Sequence, residues 1–502
     1  MRLKAGVSAL VAIMAVAACV SAPVSAEPTA KLDAGVVQGE TIKDLVVFKG
    51  IPFAAAPAGK LRWRAPQPVS HWDGVRPATA FGAACPQPHV SDEPWARVGP
   101  QSEDCLYLNV WRPAKAEKLP VMVFIHGGSF RAGSGGVPLY DGGALAKRGA
   151  VIVTINYRLG RLGFFAHPAL SKENTDGLLA NYGLMDQIEA LRWVKHNIAQ
   201  FGGDAGNVTI FGESAGGVSV QALMASPEAN GLFHRAISES GGGFSVAPTL
   251  KAGETAGQQW AAKQGLQDAT PDQLRALPVD KVATAEALTG AVIDGRVLKD
   301  SPAKSFVQKT QANVPLMIGG NSNEFSLGGL TLAANLTLGG AYKGLLAEYK
   351  AAPQTRVGAE GDLAIQAVAI QPSRYLAERQ AAKGQKAYTY YFTQQPASER
   401  AIKPGSEHGG ELSYLFGTKL NAETWDAADE KVSKLMGDYW VNFAKTGDPN
   451  GNGAPKWEPV TASSSRYLTI DANARMSDFT PLENKVHDAG VASATRIWGP
   501  AQ

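Results

Sequence analysis

One short segment of the chain has the pattern of a catalytic serine, Gly212-Glu213-Ser214-Ala215-Gly216. The G-x-S-x-G pattern is weak by itself, because roughly 0.4 matches arise by chance in a chain of this length and composition. Its setting is more specific, since the apolar run 208–211 comes directly before it and a helix-like segment follows it. A nucleophile elbow requires a strand, a tight turn and a helix in this order. The sequence therefore predicts that Ser214 is a nucleophile, and the alternative is an ordinary turn serine.

A serine nucleophile needs a histidine base, which comes last in the chain order that is typical of this elbow. Three histidines follow Ser214, namely His234, His408 and His487. His234 runs into apolar residues and is interpreted as structural, whereas His487 lies in a polar stretch with no strand before it. His408 lies in the glycine-rich segment 405–410, which is flexible enough to carry an imidazole across the end of a sheet. We therefore predict that His408 is the base.

The base needs a carboxylate that orients it. Glu324 lies just beyond the apolar run 314–318, where a side chain would emerge at the carboxyl end of a sheet. Asp294 is the competitor, but it precedes a glycine and fits equally well as a turn residue. The sequence favours Glu324 as the acid, and an ordinary surface glutamate is the alternative.

An oxyanion formed at Ser214 would need backbone N–H groups directed at it. One of these should come from Ala215, the residue after the nucleophile, and the others from a loop after an earlier strand. The segment His126-Gly127-Gly128-Ser129-Phe130 follows the apolar run 121–125 and fits this role. A phosphate-binding loop is the rival interpretation, but the segment has neither G-x-G-x-x-G nor a following P-loop lysine.

Short apolar runs rich in β-branched residues predict the strands that would position these groups, and they lie at 121–125, 151–155, 208–211 and 314–318. Between the second and third runs, apolar residues at helical spacing predict a helix over 186–201. This succession predicts an α/β fold with a large, mostly parallel central sheet flanked by helices. Two stretches, at about 245–290 and 325–385, look helical and are expected to cover the active-site end of the sheet.

Composition narrows the class of protein. The chain has 502 residues, of which 19% are charged and 45% hydrophobic, with a formal net charge of +3. Disorder and a multi-span membrane protein are disfavoured, and a nucleic-acid partner has no basic excess to support it. Length alone would predict about three domains. However, the candidate groups run from Gly128 to His408 and must meet, so residues 27–502 are predicted to form one domain.

The N-terminus has the features of a secretory signal peptide. Arg2 and Lys4 precede an uncharged, mostly apolar run over 5–18, and the small residues 24–26 offer a cleavage site. The apolar run is shorter than the roughly 20 residues of a transmembrane helix. We therefore predict a signal peptide over 1–26 and export to the periplasm or the medium. The alternative is a lipoprotein anchored in the outer membrane through Cys19, which follows a lipobox-like sequence.

Cysteine usage is consistent with export. Beyond Cys19, only Cys85 and Cys105 remain. An even pair in an oxidising compartment favours a disulfide, worth about 3 kcal/mol for a loop of about 20 residues. Two buried free thiols are the alternative.

Several longer segments form a specific pattern that spans most of the chain, and they lie at 103–110, 126–130, 156–160, 181–187, 201–204, 212–217, 319–324 and 408–416. With these segments the chain resembles the type-B carboxylesterases of the carboxylesterase/cholinesterase family, which have the α/β-hydrolase fold. The resemblance implies a serine carboxylic-ester hydrolase that forms an acyl-enzyme. Small to medium, mostly uncharged esters are the expected substrates, which the near-neutral charge of the chain fits.

The resemblance also assigns roles residue by residue. It implies Ser214 as nucleophile, Glu324 as acid and His408 as base. The remaining assignments are an oxyanion hole made by the N–H groups of Gly128, Ser129 and Ala215, and a disulfide between Cys85 and Cys105.

Three departures from the family pattern stand out. The family usually has Asp-Glu-Gly around the acid, whereas this chain has Asn323-Glu324-Phe325, so the shape of that loop is open. Ala205 replaces a frequent proline, which is of little consequence. Ser129 occupies a place that is often glycine or alanine, but only its backbone amide is needed.

Three further residues are candidates for the substrate pocket. Glu213 could favour the charged histidine through its negative field, or it could be a structural hydrogen-bond acceptor. Trp95 lies where cholinesterases place an aromatic residue that stacks on a quaternary ammonium, although an apolar wall or a surface position is the more general interpretation. Phe130 follows the glycines of the oxyanion loop.

No cofactor is expected, and no histidine cluster has the spacing of a metal site. A small ester is the expected partner, and the oligomeric state is open. Two other functions remain at this point. The same serine could serve an acyltransferase or thioesterase, and some members of the family are non-catalytic binding proteins, although these characteristically lose the nucleophile.

Overall fold

The computed structural model describes most of the chain after its leader: residues 27–92, 96–244, 246–284, 290–353, 355–419, 424–451, 453–461 and 464–501. The predicted signal peptide 1–26, with Cys19, and the candidate Trp95 lie outside these residues. Within the described ranges, no helix combines the length and apolar character needed to span a bilayer.

A mixed sheet forms the centre of the molecule. Its eleven strands have the order β14-β13-β12-β11-β10-β9-β7-β8-β6-β4-β3, and a smaller sheet has the order β1-β2-β5. The strands are β1 (Thr29–Leu32), β2 (Gly35–Gln38), β3 (Glu40–Ile42), β4 (Leu45–Pro52), β5 (Val75–Pro77), β6 (Tyr107–Pro113), β7 (Leu119–Ile125), β8 (Val151–Ile155), β9 (Gly203–Glu213), β10 (Arg235–Glu239), β11 (Leu316–Asn321), β12 (Ala387–Phe392), β13 (Arg466–Ile470) and β14 (Arg475–Asp478).

The strands that carry the candidate residues all run parallel. From β8 through β7, β9, β10, β11 and β12 to β13, each neighbouring pair is parallel, while the outer pairs are antiparallel. The carboxyl ends of adjacent parallel strands meet at one edge of a sheet, which is where α/β proteins bind ligands. The residues after β7, β9, β10 and β11 are therefore brought side by side.

Helices cover both faces of the sheet. They are α1 (Gly143–Ala146), α2 (Gly160–Gly163), α3 (Pro168–Glu173), α4 (Tyr182–Asn197), α5 (Ala215–Ala225), α6 (Leu250–Lys263), α7 (Pro271–Arg275), α8 (Val279–Val282), α9 (Pro302–Val307), α10 (Leu330–Leu338), α11 (Tyr342–Ala351), α12 (Ala359–Ile365), α13 (Gln371–Ala381), α14 (Glu411–Phe416), α15 (Ala427–Thr446) and α16 (Pro481–Trp498). The two stretches expected to be helical contain α6 to α8 and α10 to α13.

The predicted elements are present, with shifts at their ends. The helix predicted over 186–201 begins earlier, at Tyr182, and its last residues form a 3-10 turn, Ile198–Phe201. The strand predicted over 314–318 begins at Leu316, because Pro315 has no N–H for the sheet ladder.

The core lies on both faces of the sheet, as β7 shows. Val121, Val123 and Ile125 point into one apolar cluster, while Met122 and Phe124 point into another on the opposite face. All five side chains are fully buried. A parallel strand that is covered on both sides is continuously apolar, which is why these runs could be recognised in the sequence.

Candidate active site

Ser214 lies in a sharp turn between β9 and α5. Its φ of 57° and ψ of −121° are rare for a residue with a side chain. The turn is tight because glycine flanks it: a Cβ at Gly216 would lie 1.9 Å from the carbonyl oxygen of Ile125, and one at Gly212 would lie 2.6 Å from the same atom. The two glycines let this turn rest directly on the end of β7, and Ser214 remains partly exposed above the sheet.

The structure brings Ser214, His408 and Glu324 into hydrogen-bonding contact. Nε2 of His408 lies 2.8 Å from Oγ of Ser214. On the other side of the ring, Nδ1 of His408 hydrogen-bonds Oε2 of Glu324. A carboxylate at Nδ1 fixes the ring and leaves Nε2 free to accept the serine proton.

Glu324 is itself held by two donors at its other oxygen. Oε1 accepts hydrogen bonds from the backbone N–H of Asn321 at 2.8 Å and from the hydroxyl of Ser240 at 2.5 Å. Ser240 follows β10 directly, as Ser214 follows β9. Sequence reasoning missed Ser240, and the signal available was its place in the small-residue run after the strand, Ser240-Gly241-Gly242-Gly243.

Two hydrogen bonds join the loop that carries His408 to the loop that carries Glu324. The N–H of His408 donates to Oγ of Ser326 at 3.0 Å, and the N–H of Ser406 donates to Oγ of Ser322 at 2.9 Å. The departure Asn323-Glu324-Phe325 therefore leaves an ordered loop, in which Glu324 begins a short 3-10 turn.

The candidate oxyanion loop has an unusual backbone. Gly128, Ser129 and Phe130 all have positive φ angles, of 96°, 57° and 58°. At Gly128 a side chain is excluded, because a Cβ would lie 2.2 Å from the carbonyl oxygen of Ala132. The loop lies against the turn that carries the serine, since a Cβ at Gly127 would lie 3.0 Å from Cβ of Ser214.

A cavity of about 540 Å³ opens beside these groups. Ser214, Ala215 and His408 line it together with Ser129 and Phe130 of the oxyanion loop. Among the described lining residues, the charged or titratable side chains are Arg131, Glu324 and His408, and most of the others are apolar or glycine. A concave, largely apolar site of this size suits a small organic ligand.

Glu213 lies against the same imidazole from another direction. Its Oε1 is 3.2 Å from Nε2 of His408, and the carboxylate is buried. Burial raises the pKa of Glu213. Burial alone would lower the pKa of His408, but the neighbouring carboxylates of Glu213 and Glu324 outweigh it and raise that pKa above its ordinary value.

Two more carboxyls are buried at this end of the sheet. Glu239 accepts a hydrogen bond from the indole N–H of Trp440 at 2.9 Å, and Glu411 accepts one from the side-chain amide of Asn321. Burial raises the pKa of both groups, which favours their neutral forms.

Comparison with known proteins shows the family of the chain. A model described as "Carboxylesterase family" matches residues 26–350 and 341–487. The chain belongs to the carboxylesterase family. It is 34% identical to liver carboxylesterase 1 of Oryctolagus cuniculus, over 97% of this chain and 96% of the relative. It is also 34% identical to para-nitrobenzyl esterase of Bacillus subtilis (strain 168), over 90% of this chain and 96% of the relative.

The fold agrees with the family. A solved structure of PNB esterase matches this carboxylesterase with a TM-score of 0.81 at 31% identity, covering 92% of this chain and 99% of that chain. The predicted α/β fold, with its mostly parallel sheet flanked by helices, is thereby confirmed, as is the type-B carboxylesterase activity that the sequence implied.

The rejected candidates have structural partners in this carboxylesterase. Nδ1 of His234 accepts a hydrogen bond from the N–H of Val208 at 3.1 Å. His487, on α16, lies 3.1 Å from the carboxylate of Glu378 on α13. Asp294 accepts hydrogen bonds from backbone N–H groups two and four residues later, which is the turn role considered for it.

The predicted disulfide is confirmed, since Cys85 and Cys105 are bonded and buried. Gln87, two residues after Cys85, connects this loop to Gly133, which lies three residues beyond the candidate oxyanion loop. Its side-chain oxygen accepts from the N–H of Gly133 at 2.7 Å, and its side-chain NH2 donates to the carbonyl of Gly133 at 2.9 Å. Among the described residues, no group of histidine, cysteine and carboxylate side chains could hold a metal ion.

Proposed function

We propose that this carboxylesterase hydrolyses small to medium, mostly uncharged esters with Ser214 as nucleophile, His408 as general base and Glu324 as the acid that orients it. The observation that carries the proposal is the chain of contacts from Oγ of Ser214 to Nε2 of His408, at 2.8 Å, and from Nδ1 of His408 to Glu324. A nucleophile, a base and an orienting carboxylate within hydrogen-bond reach are the requirements of serine acyl transfer.

In the acylation half, Oγ of Ser214 attacks the ester carbonyl carbon while Nε2 of His408 takes the hydroxyl proton. The carbonyl π electrons move onto oxygen and form a tetrahedral oxyanion. When the carbonyl re-forms, the bond to the alcohol oxygen breaks, and His408 returns the proton to the leaving alcohol. The result is an ester between the substrate's acyl group and Ser214.

Water then repeats these steps in the deacylation half. His408 removes a proton from the water as the water oxygen attacks the acyl-enzyme carbonyl. Collapse of the second oxyanion breaks the bond to Oγ, and the proton passes from His408 to Ser214. The carboxylic acid leaves and the enzyme is restored.

The oxyanion is stabilised by the N–H groups of Gly128, Ser129 and Ala215. The close approach of this loop to the Ser214 turn supports the assignment, as does the position of Ala215 at the first turn of α5. The N-terminus of a helix carries partial positive charge and unpaired N–H groups, both of which favour an anion. Removing one such donor costs about 3 kcal/mol of transition-state stabilisation.

An uncharged ester matches the surface that it would contact. The described lining of the cavity is largely apolar, and Glu324, its carboxylate, is engaged with His408. A cationic ester would find no free carboxylate in this lining, and Trp95 lies outside the described residues.

The experiment that tests the assignment is hydrolysis of p-nitrophenyl butyrate by the purified protein beside a Ser214→Ala variant. We expect serine-dependent release of p-nitrophenol, with kcat in the variant reduced by several orders of magnitude. Ser219→Ala is a matched control, because Ser219 is buried in α5 and its hydroxyl accepts from Gln187 at 3.1 Å. Equal activity in Ser214→Ala and the parent would overturn the assignment.

We also propose that residues 1–26 direct export and are removed. The disulfide supports this proposal, because such bonds persist in oxidising compartments. Expression of the full chain in a Gram-negative host, followed by fractionation and mass determination of the N-terminus, should give a soluble periplasmic protein beginning at Glu27. A membrane-bound form with lipid on Cys19, lost in Cys19→Ala, would favour the lipoprotein alternative, and a cytosolic protein with an intact leader would contradict export.

A further inference from the structure

A second, smaller cavity opens beside the active-site cavity, and we call it the outer cavity. Its volume is about 180 Å³, and none of its described lining residues is charged: they are Phe244, Val246, Leu336, Thr337, Ser493, Ala494, Ile497 and Trp498. Three of these apolar side chains are largely in water, with exposed fractions of 61% for Val246, 73% for Leu336 and 51% for Ile497. Clustered exposed apolar groups of this kind mark binding sites more often than isolated ones do.

The outer cavity adjoins the active-site cavity, because two residues belong to the lining of both. Phe244 and Thr337 line both cavities. The Phe244 ring packs edge-on against Tyr375, with centroids 5.5 Å apart, and in a tilted arrangement against Trp498, with centroids 6.0 Å apart. The Phe244 ring also lies close to α16, since a Cβ at Gly490 would lie 3.0 Å from the ring. Phe244 therefore packs against its neighbours at the boundary between the active-site cavity and the outer cavity.

The route from the nucleophile outwards is apolar. Val218 and Leu330 line the active-site cavity near Phe244, and Leu336 and Ile497 line the space beyond it. A group that extends from an ester at Ser214 and reaches past Phe244 into the outer cavity would therefore meet mostly apolar side chains in both cavities.

We propose that the outer cavity binds the distal end of a long aliphatic chain, so that the enzyme accepts long-chain fatty esters as well as short ones. This inference rests on the function proposed above, since the ester carbonyl must lie at Ser214. The chain could belong to the acyl group or to the alcohol, and the shared chemistry is a flexible, uncharged hydrocarbon tail. Each methylene transferred from water to such a surface is worth up to about a fourfold gain in kcat/KM.

The test compares esters of increasing chain length, all at concentrations at which they are monomeric. In the acyl series, p-nitrophenyl butyrate, octanoate and dodecanoate are used, and in the alcohol series, butyl, octyl and dodecyl acetate. The informative variant is Leu336→Asn combined with Ile497→Asn, which makes the outer cavity polar at two exposed positions. Because both side chains are more than half exposed, the core is left intact.

In each series we compare kcat/KM for the ester with the twelve-carbon chain with kcat/KM for the ester with the four-carbon chain. We expect the double variant to lower this ratio at least tenfold in one series. The series that responds shows which side of the ester carries the tail. Leu332→Asn is the matched control, since Leu332 lies on the same helix, is 67% exposed and is not in the described lining of either cavity. This control should keep the parent's ratio in both series.

Two results would overturn the proposal. An unchanged ratio in both series for the double variant would mean that no chain reaches the outer cavity. An equal loss of ratio in Leu332→Asn would mean that chains bind to the outside of α10 rather than in the cavity. Neither result bears on the role of Ser214, which butyrate hydrolysis tests separately through Ser214→Ala.

Discussion

The carboxylate of Glu213 lies 3.2 Å from Nε2 of His408, the same nitrogen that faces the hydroxyl of Ser214 at 2.8 Å. The imidazole is thus placed between two buried carboxylates, with Glu324 at Nδ1 and Glu213 at Nε2. When Nε2 is protonated it can donate to Glu213, and it cannot then accept the proton of Ser214. In the proposed mechanism, Glu213 therefore stabilises the charged histidine that forms in the transition state, and it also stabilises the protonated resting form, which is inactive.

Glu213→Gln should move the acid limb of the pH–rate profile to lower pH. The neighbouring carboxylates raise the pKa of His408, so activity rises with pH as His408 loses its proton, above the pH expected for a free imidazole. Removing one negative charge at 3.2 Å lowers that pKa, by about 1 unit or more. The measurement is kcat/KM for p-nitrophenyl butyrate across pH, since this parameter reports the free enzyme.

Glu228→Gln is the control for this experiment. Glu228 pairs with Arg192 and Arg296 on the surface, so its loss should leave the acid limb in place. If the limb stays in place in Glu213→Gln as well, Glu213 is only a structural hydrogen-bond acceptor.

Ser240→Ala should lower kcat more than it raises KM. The hydroxyl of Ser240 donates to Oε1 of Glu324 at 2.5 Å and so positions the carboxylate that orients His408. A hydrogen bond to a charged group is worth about 1.5–3 kcal/mol, so kcat should fall about tenfold or more. Steady-state kinetics with a short ester separates kcat from KM.

Ser433→Ala provides the comparison, because Ser433 is also buried and donates to the carbonyl of Tyr414, a residue of an apolar core cluster. It should lose stability without losing kcat. The positioning role of Ser240 fails if its variant loses only stability, as Ser433→Ala does.

These contacts also show which parts of the site could be predicted from the sequence. Ser214 directly follows the apolar strand β9, and Glu324 lies three residues beyond the end of β11. Strands of this kind are recognisable because they are buried on both faces. A serine in a G-x-S-x-G turn and a glutamate beyond a strand are chemically distinctive, so Ser214 and Glu324 could be proposed. His408 could be favoured because only three histidines follow Ser214. The fold class followed from the same alternation of strands and helices.

Ser240 and Gln87 could not be assigned in this way. The hydroxyl of Ser240 meets Glu324 across 84 residues, and Gln87 meets Gly133 across 46. Serine and glutamine are common in loops, so their roles depend on tertiary proximity, which leaves no local pattern. The competing interpretations of Glu213 stayed open for the same reason, because only the position of the imidazole decides which groups it contacts.

Gly216→Ala should destabilise the protein, whereas alanine at a glycine with open space around it should not. The new Cβ would lie 1.9 Å from the carbonyl oxygen of Ile125, which would force α5 away from the end of β7. We expect a loss of about 3 kcal/mol or more in the free energy of unfolding, with loss of activity. Gly344→Ala, on the exposed side of α11 with open space around it, should stabilise by about 0.5–1 kcal/mol. Equal melting temperatures for the two variants would contradict the close approach at Gly216.

The buried pair of Arg158 and Asp186 predicts a difference between single and double substitution. Two nitrogens of the guanidinium donate to the carboxylate at 2.8 and 2.7 Å, and both side chains are almost completely buried. Arg158→Met leaves the Asp186 carboxylate without its counter-ion in a site where burial already raises its pKa. The free energy of unfolding should therefore fall by about 3–5 kcal/mol.

Arg158→Met combined with Asp186→Leu should lose less than the single variant, because no uncompensated charge remains. Urea denaturation of the parent, both single variants and the double variant gives the coupling energy between the two side chains. A double variant as unstable as the sum of the single variants would show that the two residues act independently. Since neither side chain lines the active-site cavity, the folded fraction of each variant should keep its kcat for short esters.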